Sequence, residues 1–339
     1  MLSELEDWGQ SRSWCSDGGA LNTIYIGGGT PSSIGVELLE TISRKIEHIW
    51  GFDSLREFTV ELNPDDVSAE FAEKLHKLPI TRVSMGVQSF NDDILKFMNR
   101  RHNSAGAVKA YRNLCNAGFD NISLDLIFGV PGQDVDMLNT DLDNMFELNP
   151  QHISIYSLSY SPGTKLSKMA DDGIVQPLSD ECCSHMYRII CKRLSDAGYV
   201  HYEISNFAKP GYESRHNSGY WNNSPYMGAG AGAHSYNGTD CRRSNEPDLE
   251  QYIANRRYET EYLDVTDCVN EFIMLSLRTI HGLDLKTFRD RFGTEYYEKL
   301  LTVSNNYLES GHLIVSDDCM KIPQKHIYVS NMIIADLFF

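Results

Sequence analysis

The sequence lacks the features that mark a membrane-spanning, secreted or nucleic-acid-binding protein. Basic residues number 30 against 47 acidic ones, which gives a formal net charge of −17. Nucleic-acid backbones and anionic lipid surfaces both select basic patches, so this charge disfavours either partner. The most apolar stretch, residues 327–339, is too short to span a bilayer and contains polar residues. These absences predict a soluble cytoplasmic protein with no nucleic-acid partner.

The first ten residues and the cysteines exclude two further classes. Residues 1–10 are acidic and lack the apolar segment of a signal peptide. The eight cysteines are spaced irregularly, which fits neither a disulfide framework nor a zinc site. Three of them, Cys182, Cys183 and Cys191, lie in one helical pattern. We interpret them as reduced thiols without a metal.

Short β-branched runs alternate with amphipathic stretches, which is typical of an α/β fold built from parallel βαβ units. A chain of 339 residues with 41% hydrophobic residues is long enough for two domains. Several of the predicted strands read as apolar on both faces, as helix-covered parallel strands do. The predicted strands are residues 23–27, 57–62, 80–87, 121–128, 152–158 and 199–205, and the predicted helices are residues 36–50, 104–117, 134–148 and 179–197.

Polar residues cluster where these predicted strands end. Parallel sheets and barrels place their ligands at the carboxyl ends of the strands. A turn or a helix cap also favours glycine, asparagine, aspartate and serine, so each residue alone has a structural explanation. The residues at this predicted rim are the Gly-rich turn at 27–30, Glu61, Gln88, Asp125 and Ser159.

Four features of the sequence have chemistry suited to a ligand. Consecutive glycines let a ligand approach the backbone closely. The Glu61 carboxylate could accept hydrogen bonds from an ammonium group or from ribose hydroxyls. The planar guanidinium of Arg100 could donate two hydrogen bonds to a carboxylate. Asp125 lies within an apolar run, where a carboxylate is costly to bury unless it is hydrogen-bonded or faces a cavity. The alternatives are a tight turn for the glycines, a surface ion pair with a lysine for Glu61, and a solvated basic step shared with Arg101 for Arg100.

Together these residues resemble the S-adenosylmethionine (SAM) site of radical SAM proteins of the oxygen-independent coproporphyrinogen oxidase type. The order and spacing of the motifs match, including Glu61-Leu-Asn-Pro64 and Ser84-Met-Gly-Val-Gln-Ser-Phe90. The resemblance implies a partial (β/α) barrel and a small C-terminal helical or winged-helix-like domain. It also implies SAM contacts at Gly28, Gly29, Thr30, Glu61, Gln88, Arg100, Asp125 and Ser159.

A second motif, His216-Asn-Ser-Gly-Tyr-Trp221, resembles the HNxxYW signature of the heme chaperone branch of that family. A histidine beside aromatic rings can ligate heme iron while the rings pack on the porphyrin. From the residues alone, a loop anchored to the barrel rim by Tyr220 and Trp221 is the favoured explanation of the motif. The resemblance implies that His216, Tyr220 and Trp221 bind heme, with His216 as the iron ligand. His234, a second histidine in a Gly-rich turn, is interpreted as a hydrogen-bonded loop residue.

The CxxxCxxC triplet that holds the 4Fe-4S cluster of radical SAM proteins does not occur in this sequence. Only 22 residues precede Thr23, and Cys15 is the only cysteine among them. We therefore expect the first barrel strand and its cluster loop to be missing, most simply through an N-terminally truncated gene sequence. Without the cluster, we expect no radical chemistry from this chain as given.

The resemblance implies a heme chaperone that passes heme to acceptor hemoproteins. An oxygen-independent coproporphyrinogen III oxidase of porphyrin biosynthesis is the alternative, and whether the chain is an enzyme stays open. The expected segments are a barrel at residues 1–207, a connection with the HNxxYW motif at 208–265 and a C-terminal domain at 266–339. Association with the inner membrane face and a homodimer also stay open.

Overall fold

The computed structural model describes residues 1–10, 14 and 20–339. Cys15 lies outside the described residues. The chain divides into two compact units: one comprises Ile24–Glu40 and Glu57–Glu213, and the other comprises Met1–Thr23, Thr41–Arg56 and Ser214–Phe339. The predicted segment boundaries after residues 207 and 265 stay a prediction.

A seven-stranded sheet is the main feature of the first unit. Its strands run in the order β1-β2-β3-β4-β5-β7-β6, and β2 to β5 pair in parallel. The single strand predicted at residues 199–205 is instead two short antiparallel strands, because the chain reverses at residues 204–205. The strands are β1 (Thr23–Ile26), β2 (Glu57–Leu62), β3 (Arg82–Gln88), β4 (Ile122–Phe128), β5 (His152–Ser157), β6 (Val200–Glu203) and β7 (Asn206–Ala208).

Several of the helices begin and end at residues whose side chain or backbone conformation caps them. Ser68 and Ser179 accept hydrogen bonds from the backbone N–H groups of Phe71 and Cys182, as N-caps do. Gly118 ends a helix with a φ of 106°, a conformation that favours glycine. The helices are α1 (Leu2–Gln10), α2 (Val36–Trp50), α3 (Ala69–Leu75), α4 (Asp92–Phe97), α5 (Ser104–Ala117), α6 (Val135–Leu148), α7 (Lys165–Asp171) and α8 (Asp180–Asp196).

The two faces of the sheet differ in polarity, which corrects the expectation of strands that are apolar on both faces. Alternate residues such as Val60, Val83 and Leu124 are fully buried apolar side chains. The residues between them are polar, and the strand register places them side by side, for example Glu61 beside Ser84 and Ser84 beside Ser123. Hydrogen bonds among these side chains offset the cost of burying them. The polar face therefore has the character of a ligand-binding surface.

A small antiparallel sheet that the sequence pattern did not predict lies in the second unit. Its strands run in the order β10-β9-β8, and β10 is exposed along its whole length. These strands are short and lack alternating apolar residues, so the period-two signal is absent. The elements of this segment are α9 (Arg215–Trp221), β8 (His234–Tyr236), β9 (Cys241–Asn245), α10 (Leu249–Asn255) and β10 (Tyr258–Tyr262).

The C-terminal part of the second unit has its own apolar core. Phe288, Leu300 and Leu313 are fully buried there, beside a three-stranded sheet in the order β11-β13-β12. The chain ends with a 3₁₀ turn (Gln324–Val329) followed by a short α-helix. The elements are α11 (Val265–Leu277), β11 (Leu283–Asp284), α12 (Leu285–Glu309, broken at Gly293), β12 (Ile314–Ser316), β13 (Cys319–Lys321) and α13 (Ser330–Ala335). Among the described residues, none of these helices is both long and apolar enough to cross a bilayer.

Candidate functional site

Glu61 closes β2 and joins the Gly-rich turn to the polar face of the sheet. Its carboxylate accepts hydrogen bonds from the Tyr25 hydroxyl at 2.7 Å and from the Gly28 backbone N–H at 3.0 Å. Gly28 and Gly29 have φ values of 84° and 65°, which favour glycine, and both are exposed. Thr30 follows at the N-cap of a 3₁₀ helix. The turn therefore presents open backbone next to a half-buried carboxylate.

Gln88 and Arg100 lie together over Gly86 of β3. The Arg100 guanidinium donates from Nη2 to the Gly86 carbonyl oxygen at 3.0 Å. A Cβ atom on Gly86 would lie 2.7 Å from Gln88 Nε2 and 3.1 Å from Arg100 Nη2, so any larger residue would displace the ends of both side chains. Burial lowers the pKa of Arg100, and the nearby carboxylates of Asp65 and Asp125 oppose that shift. The side chain is half-buried, which leaves part of its donor fork available to an anion.

Asp125 lies on the polar face of β4. Ser84 on the neighbouring strand donates a hydrogen bond to it at 3.3 Å. Burial raises the pKa of Asp125 to about 6, while hydrogen bonds from Ser154 and Ser84 and the charge of Arg82 act against that rise. A carboxyl group tuned to this range can accept hydrogen bonds from a ligand or hold a proton near neutral pH.

The structure brings most of the predicted SAM residues onto one polar face and its strand ends. Their donor set suits an amino-acid nucleoside, because carboxylates accept from ammonium and hydroxyl groups while Arg100 donates to a carboxylate. Ser159 differs: it is exposed and lies two residues beyond the end of β5. These residues fit SAM.

The same residues do not fit a 4Fe-4S cluster. The sequence has no CxxxCxxC triplet. Within residues 1–10, 14 and 20–339, no group of three His, Cys, Asp or Glu side chains is arranged to hold a metal ion. The seven cysteines of this part of the chain are free thiols.

The HNxxYW motif forms helix α9, where a loop was expected. Ser214 caps the helix by accepting from the Asn217 backbone N–H. Residues four apart on a helix share a face, so His216 and Tyr220 meet: the Tyr220 hydroxyl lies 3.0 Å from His216 Nε2. The other ring nitrogen, Nδ1, lies 2.9 Å from the hydroxyl of Thr23 at the start of β1.

Two tyrosine rings pack in succession beside His216. Tyr220 packs edge-on against both His216 and Tyr226, with ring centroids 5.0 Å and 4.8 Å away. Tyr220 is 39% exposed, and burial of the rest of the residue raises its pKa to about 12. It is therefore a neutral phenol at neutral pH. We name His216, Thr23, Tyr220 and Tyr226 the His216 site.

Trp221 is separate from this pair. It is five residues beyond His216, which turns its side chain to another side of the helix. Arg278 at the end of α11 lies 6.0 Å from the centre of its indole ring. The Trp221 Nε1 atom is buried and has no hydrogen-bond partner among the described residues. The three predicted heme residues thus divide into a His216–Tyr220 pair and a Trp221 that packs toward α11.

Sequence reasoning missed Thr23, Tyr25 and Tyr226. Thr23 and Tyr25 alternate along β1, a strand that was read only as a run of β-branched residues. Their partners, His216 and Glu61, are 193 and 36 residues away in the chain, so local patterns could not pair them. His234, interpreted as a loop residue, instead begins β8 and is exposed.

Comparison with known proteins places the chain among radical SAM proteins. Residues 13–144 match the Radical SAM superfamily, and residues 263–329 match the HemN C-terminal domain. Heme chaperone HemW of Lactococcus lactis is 36% identical over 301 residues, covering 88% of this chain and 79% of that protein. Heme chaperone HemW of Bacillus subtilis is 35% identical over 318 residues, covering 92% and 84%.

The fold has a solved counterpart. The structure of coproporphyrinogen III oxidase (HemN) from Escherichia coli, a radical SAM enzyme, superposes with a TM-score of 0.80 at 19% identity. It covers 99% of this chain and 82% of that chain. This likeness confirms the predicted fold, a partial radical SAM barrel with a small C-terminal domain. At this identity it shows the fold alone.

Proposed function

The chain belongs to the heme chaperone HemW family of radical SAM proteins, and on that premise we propose that it binds heme and transfers it to acceptor hemoproteins. The observation that supports this most directly is the identity of 35% to Bacillus subtilis HemW, which extends over 92% of this chain. The His216 site adds a chemical reason. It combines an imidazole with a partly exposed aromatic ring, which are the groups that heme iron and a porphyrin face require.

We further propose that His216 is the iron ligand and that Tyr220 lies against the porphyrin. In the structure Trp221 packs toward Arg278, so its part in heme binding is indirect: it holds α9 against α11. Acceptor hemoproteins of respiration are the partners we expect. Delivery takes place on the cytoplasmic side, either in solution or at the inner face of the membrane.

A SAM site is the second part of the proposal. Gly28, Gly29 and Thr30 would approach the ligand through their backbone, Glu61 and Asp125 would accept hydrogen bonds, and Gln88 and Arg100 would donate them. Ser159 would contact the ligand from beyond β5. When bound with a cluster, SAM supplies radical chemistry in this superfamily. The part proposed for this chain is binding and orientation of SAM alone.

Coproporphyrinogen III oxidase is the competing function, and it is not favoured. Its support is the structural likeness to HemN, which at 19% identity extends to the fold and no further. The relatives that match most of the chain at 35–36% identity have the chaperone name.

The heme proposal predicts a histidine-dependent hemin complex. Titration of the full chain with hemin, followed in the Soret band, should show saturable binding of about one heme per chain. His216→Ala should weaken binding by about tenfold or more, because iron loses its nitrogen ligand. His185→Ala is the matched control: it removes an exposed histidine from α8, in the other compact unit, and should bind like the wild type.

Two results would count against this proposal. Equal binding by the wild type and His216→Ala would show that His216 is not the ligand. An absence of saturable binding by the wild type would contradict the chaperone function itself. Circular dichroism of each variant separates a lost ligand from a lost fold.

The SAM proposal has its own pair of variants. Arg100→Ala should lower SAM affinity measured by calorimetry by about tenfold, since a half-buried guanidinium contributes about 1.5–3 kcal/mol through a charged hydrogen bond. Arg101→Ala removes the neighbouring arginine, which forms surface ion pairs with Asp65 and Asp66, and should leave SAM binding unchanged. If both variants bind SAM like the wild type, the role assigned to Arg100 is wrong.

A further inference from the structure

We propose that Thr23 is a positioning residue for heme iron: its hydroxyl accepts the Nδ1 hydrogen of His216 and so presents Nε2 as the iron ligand. In the absence of heme, the Tyr220 hydroxyl covers that nitrogen and leaves when iron arrives. The inference rests on the proposed heme function and adds to it a residue outside the HNxxYW motif.

The geometry of His216 leaves two arrangements of its single ring hydrogen. A neutral imidazole has one N–H donor and one bare nitrogen acceptor. Both nitrogens face hydroxyl groups, Nδ1 at 2.9 Å from Thr23 and Nε2 at 3.0 Å from Tyr220. Either Nδ1 donates to Thr23 and Tyr220 donates to Nε2, or both hydrogen bonds run in the opposite sense. Only the first arrangement leaves Nε2 with a lone pair for a metal.

The surroundings of the two hydroxyls show which nitrogen iron can reach. Thr23 is a short, β-branched side chain at the start of a strand, so its hydroxyl has little freedom to move away. Tyr220 is on a seven-residue helix, is 39% exposed, and contacts Tyr226 edge-on. Rotation of the tyrosine side chain opens Nε2 to a large planar ligand. The same rotation keeps the phenol ring near the porphyrin.

A hydroxyl at Nδ1 has a defined effect on the metal ligand. A ligating histidine usually donates its second N–H to an oxygen, which fixes the ring orientation and raises the basicity of the bound nitrogen. Loss of such a partner typically lowers metal affinity by about 10–100-fold. Thr23 occupies this position for His216. The HNxxYW motif alone therefore does not contain the complete ligand unit.

Three variants of the full chain test this role. Thr23→Val removes the hydroxyl and keeps the shape and strand preference of the side chain, whereas Thr23→Ser keeps the hydroxyl. Tyr220→Phe removes the proposed cover of Nε2. Hemin affinity is measured in the Soret band, and the iron–histidine stretching band of the ferrous complex is measured by resonance Raman. Circular dichroism and thermal unfolding check that each variant folds.

We expect Thr23→Val to bind hemin about tenfold more weakly and to shift the iron–histidine band to lower frequency, because the ligand nitrogen is less basic. Thr23→Ser should behave like the wild type in both measurements. Tyr220→Phe should retain the wild-type band frequency, since the Nδ1 partner is unchanged.

Three results would contradict the positioning role of Thr23. If Thr23→Val matches the wild type in affinity and band position, the positioning role is wrong while the heme function stands. If Thr23→Ser loses as much affinity as Thr23→Val, the residue acts through the strand and not through its hydroxyl, which also overturns the inference. If the wild type shows no histidine-ligated heme, the proposed function fails together with it.

Discussion

At the scale of single residues, the polar face of the sheet contains a carboxyl group whose ionisation affects stability. Asp125 was singled out because an acid in an apolar run is costly to bury. The structure shows the compensation: Ser84 donates to it, and Arg82 lies on the same face. Burial still dominates and raises the pKa to about 6. The folded chain therefore binds a proton at Asp125 more tightly than the unfolded chain does.

This shift predicts how stability depends on pH. A folded pKa of about 6 against an ordinary 3.8 means that the contribution of Asp125 to stability is fully present below pH 4 and is lost as the pH rises through about 6. Asp125→Asn is neutral throughout, so above pH 6 it should be more stable than the wild type by on the order of 1–2 kcal/mol after allowance for partial exposure. Thermal unfolding at pH 4.5 and pH 7.5 measures the difference.

Asp141 also makes the stability of both proteins depend on pH in that measurement. Burial raises its pKa to about 6 as well, while it accepts hydrogen bonds from Ser89 and the Phe90 backbone. It is present in both proteins, so its contribution cancels in the comparison. If Asp125→Asn loses as much stability as the wild type between the two pH values, Asp125 is already ionised in the folded chain.

Residue types and order predicted the candidate SAM residues, and the structure places most of them on one face. What sequence could not provide is the partner of each residue. Glu61 bonds to Tyr25, and His216 bonds to Thr23, across long stretches of chain. Such pairs depend on which strands become neighbours, and composition does not record that.

At the scale of elements, one buried carboxylate fixes helix α1 to the rest of the second unit, to which the helix belongs. Glu4 is 3% exposed. It accepts from the Tyr252 hydroxyl at 2.5 Å, from Asn245 Nδ2 at 2.6 Å and from the Gly230 backbone N–H at 3.0 Å. Arg243 Nη2 lies 3.6 Å away. The network ties α1 to α10, β9 and the Gly-rich segment before β8.

Removal of this carboxylate should destabilise the protein strongly. Glu4→Ala removes the acceptor shared by the Tyr252 hydroxyl, the Asn245 amide and the Gly230 backbone N–H, and Asn245 retains only its bond to the Gly230 carbonyl. The free energy of unfolding should therefore fall by on the order of 3–5 kcal/mol. Glu6→Ala is the matched control on the same helix: it breaks an exposed ion pair with Lys45 and should cost less than about 1 kcal/mol. Urea unfolding of both variants measures the two changes. Similar losses in both would show that the network does not stabilise α1.

The bounds of helices and strands were predicted correctly where the sequence periodicity is strong. The prediction failed where the strands are short. Helices α2 and α5 and strand β2 begin and end at the predicted residues. The hairpin of β6 and β7 was read as one strand, since three or four residues cannot display a period. Helix α9 was read as a loop because seven residues rich in serine, glycine and asparagine have little helical preference.

At the scale of the whole molecule, fold and function rest on different evidence. The α/β class followed from the βα alternation and the partial barrel from the resemblance to radical SAM proteins, and the likeness to HemN at a TM-score of 0.80 confirms the fold. Chaperone function follows from membership of the HemW family, and the net charge of −17 is consistent with a protein that avoids nucleic acid. A chaperone differs from a heme store in one respect: contact with the acceptor must accelerate release.

Heme transfer kinetics test that distinction most directly. The 339-residue chain loaded with hemin is mixed with increasing amounts of the apo form of a respiratory b-type cytochrome, and excess apomyoglobin measures passive release. We predict that transfer accelerates with acceptor concentration and exceeds the passive rate. A transfer rate that equals passive release at every acceptor concentration would contradict the chaperone function.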